Sequence, residues 1–155
     1  MADDLAGRLH DDLTSAMRER DEVTVSVLRL ALTAITNAEV AGKTQIRLGD
    51  DQVLAVLVKE AKQRRESAQL YDDNGRTELA AKERAELVVL ERYLPAEVDD
   101  AALERIVTEE VAAAAAEGRT GTSAMGGVVK AVRARVGPTT DGGKVAALVK
   151  AALAG

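Results

Sequence analysis

The chain of 155 residues contains no cysteine, no tryptophan and no phenylalanine. Without cysteine it can form no disulfide, no zinc–thiolate site and no thiol nucleophile. The two tyrosines, Tyr71 and Tyr93, are too few to build the stacking platforms with which many proteins read single-stranded bases. Any nucleic acid that the chain binds is therefore expected to be recognised through its backbone and shape.

Histidine and proline are also scarce. His10 is the only histidine, so a histidine-based triad or metal centre of the usual kind cannot be assembled. We predict no catalytic residue, no metal and no cofactor. The two prolines are Pro95 and Pro138, which leaves nearly the whole chain free of the strongest helix breaker. The sequence therefore predicts an all-α protein.

Long apolar runs are missing as well. No uncharged apolar stretch approaches the roughly 18 residues that a membrane span needs. The N-terminus is acidic where a secretory signal would be basic. We therefore expect a cytoplasmic protein with no membrane partner.

Four helices are predicted before Pro95. The first follows a cap at Asp3 or Asp4 and has one apolar face. Its members are Leu5, Leu9, Leu13 and Met17. The second helix, from Val23 to Ala38, is apolar nearly all round, as expected of a helix packed by several neighbours. Its β-branched start, residues 23–27, leaves a strand as the alternative.

The third and fourth helices are predicted to form an antiparallel hairpin. The third begins at a cap formed by Asp50 or Asp51 and ends at the turn sequence of residues 73–75. Thr77 is expected to cap the fourth helix, which ends at Pro95. The predicted apolar stripe of the fourth helix consists of Leu79, Ala80, Glu83, Leu87, Leu90 and Leu94.

Three shorter helices are predicted after Pro95. Their starts are expected at Asp99 or Asp100, at Thr122 or Ser123, and at Asp141. The apolar stripe of the last one is Val145, Leu148, Val149 and Leu153. We therefore expect two domains, an N-terminal four-helix domain over residues 1–95 and a small three-helix domain over residues 96–155.

Acidic pairs and glycine pairs offer two further candidate sites. Of the five Asp-Asp pairs, three are better explained as helix caps, a fourth as part of a turn, and the fifth as an outward-facing pair on a helix. None is expected to bind a metal, because neighbouring helical residues point about 100° apart. Gly126-Gly127 and Gly142-Gly143 lie near helix starts, where free N–H groups can hold one phosphate of a larger anion. Lys144 lies in the first turn of its helix, where its charge opposes the helix dipole and suggests a ligand.

Charge is distributed unevenly along the chain. The last 37 residues, from Arg119 on, carry six basic side chains against one acid, whereas the preceding 118 carry fifteen against twenty-five. Such asymmetry indicates a polyanionic partner, unless the basic residues only solvate a small helical domain. The candidate RNA-binding residues are Lys130, Arg133, Arg135, Lys144 and Lys150.

A second basic strip is predicted on the third helix, in the run from Lys59 to Arg65. Lys62 shares a helix face with Lys59 and another with Arg65. These three residues are therefore predicted as a second contact for the same partner. The alternative is a solvated face whose bases pair with Glu60 and Glu66.

Four blocks of the sequence resemble the GatB/YqeY family, and its stand-alone YqeY-like branch in particular. The blocks are Ser26–Glu39, Lys59–Ser67, Leu90–Pro95, and Met125-Gly126 with the stretch Asp141–Val149. The resemblance implies an all-helical fold related to the tail of the B subunit of tRNA-dependent amidotransferase, where the tail contacts the RNA and performs no chemistry. The residues that match the RNA-facing end of that tail are Lys130, Arg133, Arg135 and Lys144.

We therefore expect a non-catalytic protein whose C-terminal domain binds structured RNA, above all tRNA, and no DNA. One alternative is a protein–protein adaptor that docks through the apolar stripe of the last helix. Another is an accessory factor to a tRNA-dependent amidotransferase or to another translation protein.

Overall fold

The computed structural model describes residues 3–155, and over that range the chain is all-helical. The seven α-helices of the described residues are α1 (Leu5–Glu19), α2 (Glu22–Val40), α3 (Asp50–Asp73), α4 (Thr77–Glu91), α5 (Asp100–Ala116), α6 (Met125–Val136) and α7 (Gly142–Ala154). A 3₁₀ turn, Gly121–Ala124, precedes α6. The strand alternative for residues 23–27 is wrong, because these residues lie within α2.

The chain divides into two compact units, Met1–Leu94 and Pro95–Gly155. The first contains α1 to α4 and the second α5 to α7. Each unit has a hydrophobic core of its own.

The core of the first unit is formed by all four of its helices, and α2 contacts the other three. Leu9, Leu28, Leu57 and Leu90, one from each helix, are completely buried. The expectation that α2 is packed by several neighbours is confirmed, although Val23 and Leu30 are about half exposed. One face of α2 is therefore left outside this core.

By length and composition alone, α2 is the one helix of the described residues that is apolar enough to cross a membrane. A core helix passes the same test, and α2 packs against three neighbours. This property by itself is weak evidence for a span.

Short acidic side chains start most of the helices. Asp4 accepts a hydrogen bond from the Gly7 N–H (2.8 Å), and Asp99 accepts one from the Ala102 N–H (2.7 Å). Each carboxylate satisfies a backbone donor that the first helical turn leaves free. The backbone hydrogen bond lowers the pKa of Asp4, which Arg47 lowers further.

The cap of α3 lies one residue before Asp50, the first of the two predicted cap residues. Gly49 is the cap residue, and its N–H donates to the side chain of Gln52 (3.1 Å). Asp50 lies in the first turn instead and accepts the Leu5 N–H from the start of α1 (3.0 Å). Thr77 is likewise the first residue of α4, and no side-chain cap precedes it.

The buried face of α4 differs from the predicted stripe. Leu79 is 38% exposed, whereas Val89 and the charged Glu86 are buried. Glu86 can be buried because it pairs with Arg64 of α3, which is also buried. A second pair, between Asp72 of α3 and Arg84 of α4, lies nearer the turn. The later residue of α3 thus pairs with the earlier residue of α4, as it does when two helices are antiparallel. The predicted antiparallel hairpin is therefore present.

Tyr93 lies at the end of the first unit and connects that end to α1. Its hydroxyl donates to the carboxylate of Asp12 (2.5 Å), and the Arg8 guanidinium lies 5.3 Å from the centre of its ring. Burial raises the pKa of Tyr93, and the bond to Asp12 raises it further. Asp12 belongs to the Asp11-Asp12 pair of the sequence. Its hydrogen bond therefore attaches the segment before Pro95 to α1.

In the second unit, α5, α6 and α7 all contact one another. Val145 and Val149 of α7 are completely buried, and Leu148 and Leu153 pack against the same core. The adaptor alternative that used this stripe is wrong, because the stripe forms the core of its own unit.

Candidate nucleic-acid interface

The second unit as a whole is not basic. Residues 95–155 carry seven Lys or Arg against eight Asp or Glu, a net charge of −1. The net charge of +5 counted from Arg119 onward omits α5 and its flanks, which belong to the same unit and supply most of its acids. The prediction of a cationic C-terminal domain is therefore wrong as a statement about net charge, and the position of each cation decides what can bind.

Arg135 is engaged by α5. Its guanidinium donates to Glu109 (2.8 Å) and to Glu110 (3.1 Å). These two bonds raise the pKa of Arg135. A phosphate at this position would have to displace two carboxylates, so Arg135 contributes to the packing of α6 on α5.

Lys144 is also paired within the unit. Its ammonium group donates to Asp100 in the first turn of α5, and this bond raises the pKa of Lys144. The pair accounts for a lysine in the first turn of α7, where the helix dipole disfavours it. The position of Lys144 is thus explained without a ligand.

Lys130, Arg133 and Lys150 differ from these two cations. All three are exposed, and no carboxylate of residues 3–155 lies within 4.0 Å of their side-chain nitrogens. Lys130 and Arg133 are three residues apart and hence neighbours on one face of α6. Lys150 is on α7, which packs against α6. We call these three residues the α6–α7 cationic surface.

Arg133 lies directly against the start of α7. A Cβ atom added at Gly142 would lie 3.3 Å from a guanidinium nitrogen of Arg133. Gly142 therefore allows the guanidinium to pack over the backbone where α7 begins, next to the cap that Asp141 forms with the Gly143 N–H (2.9 Å).

The other glycine pair also accommodates an arginine. A Cβ atom added at Gly127 would lie 2.8 Å from a guanidinium nitrogen of Arg119, which pairs with Glu117 (2.5 Å). Gly126 and Gly127 lie in the first turn of α6. The structure thus provides a packing role for both predicted phosphate-binding pairs.

The second predicted strip stays exposed on α3. Lys59, Lys62 and Arg65 are all at the surface, and Lys62 lies 4.0 Å from Glu66. The neighbouring Arg64 faces the opposite way and is buried beside Glu86. The three residues of the predicted strip therefore stay accessible, and Arg64 is not part of it.

No convergent acid or histidine cluster is found in the part of the chain that the structure describes. No three His, Asp or Glu side chains are arranged there to hold a metal ion. His10 is exposed on α1. The candidate sites that remain are the α6–α7 cationic surface and the exposed strip of Lys59, Lys62 and Arg65.

The protein belongs to the class of small all-helical proteins. It has two helical units, and the second presents unpaired cations on its last two helices. The sequence profile of the family described as "Yqey-like protein" matches residues 6–153. The chain belongs to this YqeY-like family, which confirms the resemblance.

Two curated relatives are similar over part of the chain. Both are called "Altered inheritance of mitochondria protein 41, mitochondrial". The protein from Meyerozyma guilliermondii is 35% identical over 86 residues, which are 56% of this chain and 44% of the relative. The protein from Candida glabrata is 30% identical over 88 residues, or 57% and 48%. The matched segments span less than half the length of these relatives.

Proposed function

We propose that the protein binds structured RNA, above all tRNA, through the α6–α7 cationic surface. The observation that carries the proposal is that Lys130, Arg133 and Lys150 remain exposed and unpaired within a unit of net charge −1. Exposed cations that gain nothing from internal ion pairs are free to contact phosphates.

The distribution of charge in the second unit supports this proposal. Carboxylates of α5 already bind Arg135 and Lys144, so the acids and the unpaired cations occupy different helices. A surface of this kind attracts a polyanion to α6 and α7 and repels it from α5. We therefore propose contacts from Lys130, Arg133 and Lys150, and assign Arg135 and Lys144 to internal ion pairs.

Phosphate contacts also fit the composition of the chain. With two tyrosines as the only large aromatic residues, and with Tyr93 buried, the protein has few rings on which bases could stack. We propose that it recognises helical RNA by backbone and shape, and that Lys59, Lys62 and Arg65 form a second, weaker contact.

Further features of the proposal follow the sequence expectations. We propose that the four-helix and three-helix units act as separate domains, and that the protein is cytoplasmic and non-catalytic. An accessory role beside a tRNA-dependent amidotransferase or another translation protein stays a second proposal. It is supported by the resemblance to the amidotransferase tail.

Salt dependence of tRNA binding tests the RNA proposal. Three phosphate contacts predict a log–log slope of about −2 to −3 for the association constant against salt concentration. A DNA duplex of similar length serves as the comparison and is expected to bind more weakly. Absence of tRNA binding at about 50 mM salt, where phosphate contacts are strong, would overturn the proposal.

A further inference from the structure

The outer face of α2, in the first unit, carries a further candidate surface. Glu22, Ser26, Arg29 and Thr33 are spaced by three or four residues, so they lie on one side of the helix, and all four are exposed. The buried residues of α2, among them Val27 and Ala31, lie on the other side.

Large apolar side chains accompany this polar row. Val23 is 46% exposed and Leu30 is 52% exposed on α2. Met17, near the end of α1, is 45% exposed and lines an open groove of about 600 Å³ together with Leu30. Exposed apolar side chains that are grouped and rimmed by charges mark surfaces that bind a partner.

Three charged side chains line the groove: Glu22 and Arg29 on the same face of α2, and Arg20 just before α2. Glu22 and Arg29 are seven residues apart, which is two helical turns or about 10 Å along the axis. Among residues 3–155, neither has an ion-pair partner within 4.0 Å. The Arg29 guanidinium instead lies 3.5 Å from the sulfur of Met17.

This pattern is complementary to itself. In an antiparallel pair of α2 helices with the two-fold axis close to Ser26, Glu22 of each copy lies opposite Arg29 of the other. Ser26 is small and lets the two helices approach. The exposed Val23, Leu30 and Met17 of one copy are then covered by the other. An acidic partner would be repelled by Glu22, and a basic partner would be repelled by Arg20 and Arg29. A second copy instead pairs each Glu22 with an Arg29.

We propose that the outer face of α2 is a homodimer interface, in which Glu22 of one copy pairs with Arg29 of the other around Ser26. The interface is small, so the dimer is expected to dissociate in the micromolar range.

Sedimentation of the full chain over about 1 to 500 µM tests the proposal, because this range brackets such an affinity. Glu22→Arg and Arg29→Glu each place like charges opposite one another and are expected to raise the dissociation constant at least about tenfold. An equimolar mixture of the two variants restores both ion pairs and is expected to dimerise as well as the natural chain. The double variant Glu22→Arg/Arg29→Glu is expected to do the same.

Glu78→Arg is the matched control. Glu78 is exposed in the first turn of α4, as Glu22 is in α2, so it reproduces the effect of a cation at a helix start. It is expected to leave the dimer unchanged, and circular dichroism checks that every variant keeps its helices. A monomer throughout the range, or single variants that dimerise like the natural chain, would overturn the proposal. Failure of the mixture to dimerise would do so too.

Discussion

Arg64 of α3 and Glu86 of α4 form an ion pair in which both side chains are about nine-tenths buried, with exposures of 10% and 11%. Glu83, one turn earlier on α4, lies 3.6 Å from the same guanidinium. The pair lies inside the α3–α4 hairpin, where each charge depends on the other for the favourable contacts that water would otherwise supply.

The first prediction concerns this pair. Arg64→Met leaves the Glu86 carboxylate buried without its main partner, so we expect the free energy of unfolding to fall by about 3 kcal/mol. Urea unfolding followed by circular dichroism measures the change.

Two controls separate the pair from a general loss of charge. The double variant Arg64→Met/Glu86→Leu removes both charges and is expected to regain most of the lost stability. Lys62→Met, at an exposed position of the same helix, should change stability by no more than about 0.5 kcal/mol. An Arg64→Met variant as stable as the natural chain would contradict the account.

The second prediction concerns Tyr93 and its bond to Asp12. Tyr93→Phe removes this hydrogen bond and is expected to lower the free energy of unfolding by about 1 kcal/mol at neutral pH. Because burial and Asp12 raise the pKa of Tyr93 above its ordinary value of 10.0, the neutral phenol is favoured in the folded state. Its stabilising contribution is complete below about pH 10 and is lost as the pH rises further.

The stability difference between the natural chain and Tyr93→Phe should therefore stay constant up to about pH 10, the ordinary tyrosine pKa, and narrow as the pH rises above it. Chemical denaturation at several pH values measures this difference. Tyr71→Phe is the control, and a Tyr93 difference that widens as the pH rises would rule out the proposed cause.

The third prediction concerns the cap of α2. Asp21 accepts hydrogen bonds from the Thr24 hydroxyl (2.6 Å) and the Thr24 N–H (3.1 Å), and these bonds lower the pKa of Asp21. The stability that this carboxylate contributes is complete above its ordinary pKa of 3.8 and is lost as the pH falls through its lower folded-state value. Asp21→Asn should therefore be less sensitive to acid between about pH 5 and pH 2 than the natural chain. Thermal unfolding across that range checks this, and equal acid sensitivity of the two proteins would count against it.

The fourth prediction concerns the end of α6. Gly137 has φ = 78° and ψ = −178°, a conformation that side chains with a Cβ strongly disfavour. Gly137→Ala is expected to destabilise the protein by about 1–3 kcal/mol. Gly126→Ala, in the first turn of the same helix, is the control; nothing lies within 4 Å of an added Cβ there, so it should be neutral or stabilising. Equal effects of the two substitutions would contradict this explanation.

Local signals in the sequence were enough to predict most of the helices. The Asp4, Asp99 and Asp141 caps, the turn at residues 73–75 and the apolar stripe of α7 all depend on residues close together in the chain. Such local patterns survive folding because their partners are always within reach.

The errors arise where residues far apart in sequence meet. Glu86 interrupts any apolar stripe, and only its contact with Arg64, 22 residues away, explains its burial. Charge counting failed for the same reason, since Arg135 and Lys144 find their acids 25 to 44 residues earlier in the chain. The acids of α5 and the bases of α6 and α7 belong to one small unit, which was a signal that they pair with one another. A count of charges along the chain does not show this pairing.

The most direct test of the central claim compares two triple variants of the full chain in binding to tRNA. Lys130→Gln/Arg133→Gln/Lys150→Gln removes the α6–α7 cationic surface, whereas Arg18→Gln/Lys43→Gln/Arg76→Gln removes the same net charge from exposed residues of the first unit. At about 50 mM salt, where phosphate contacts are strong, the account predicts a loss of at least about tenfold in affinity for the first variant and little change for the second. The slope against salt should become shallower by about 2 to 3 for the first variant only. Equal losses in both variants, or tRNA binding that is unaffected by the first, would contradict the account.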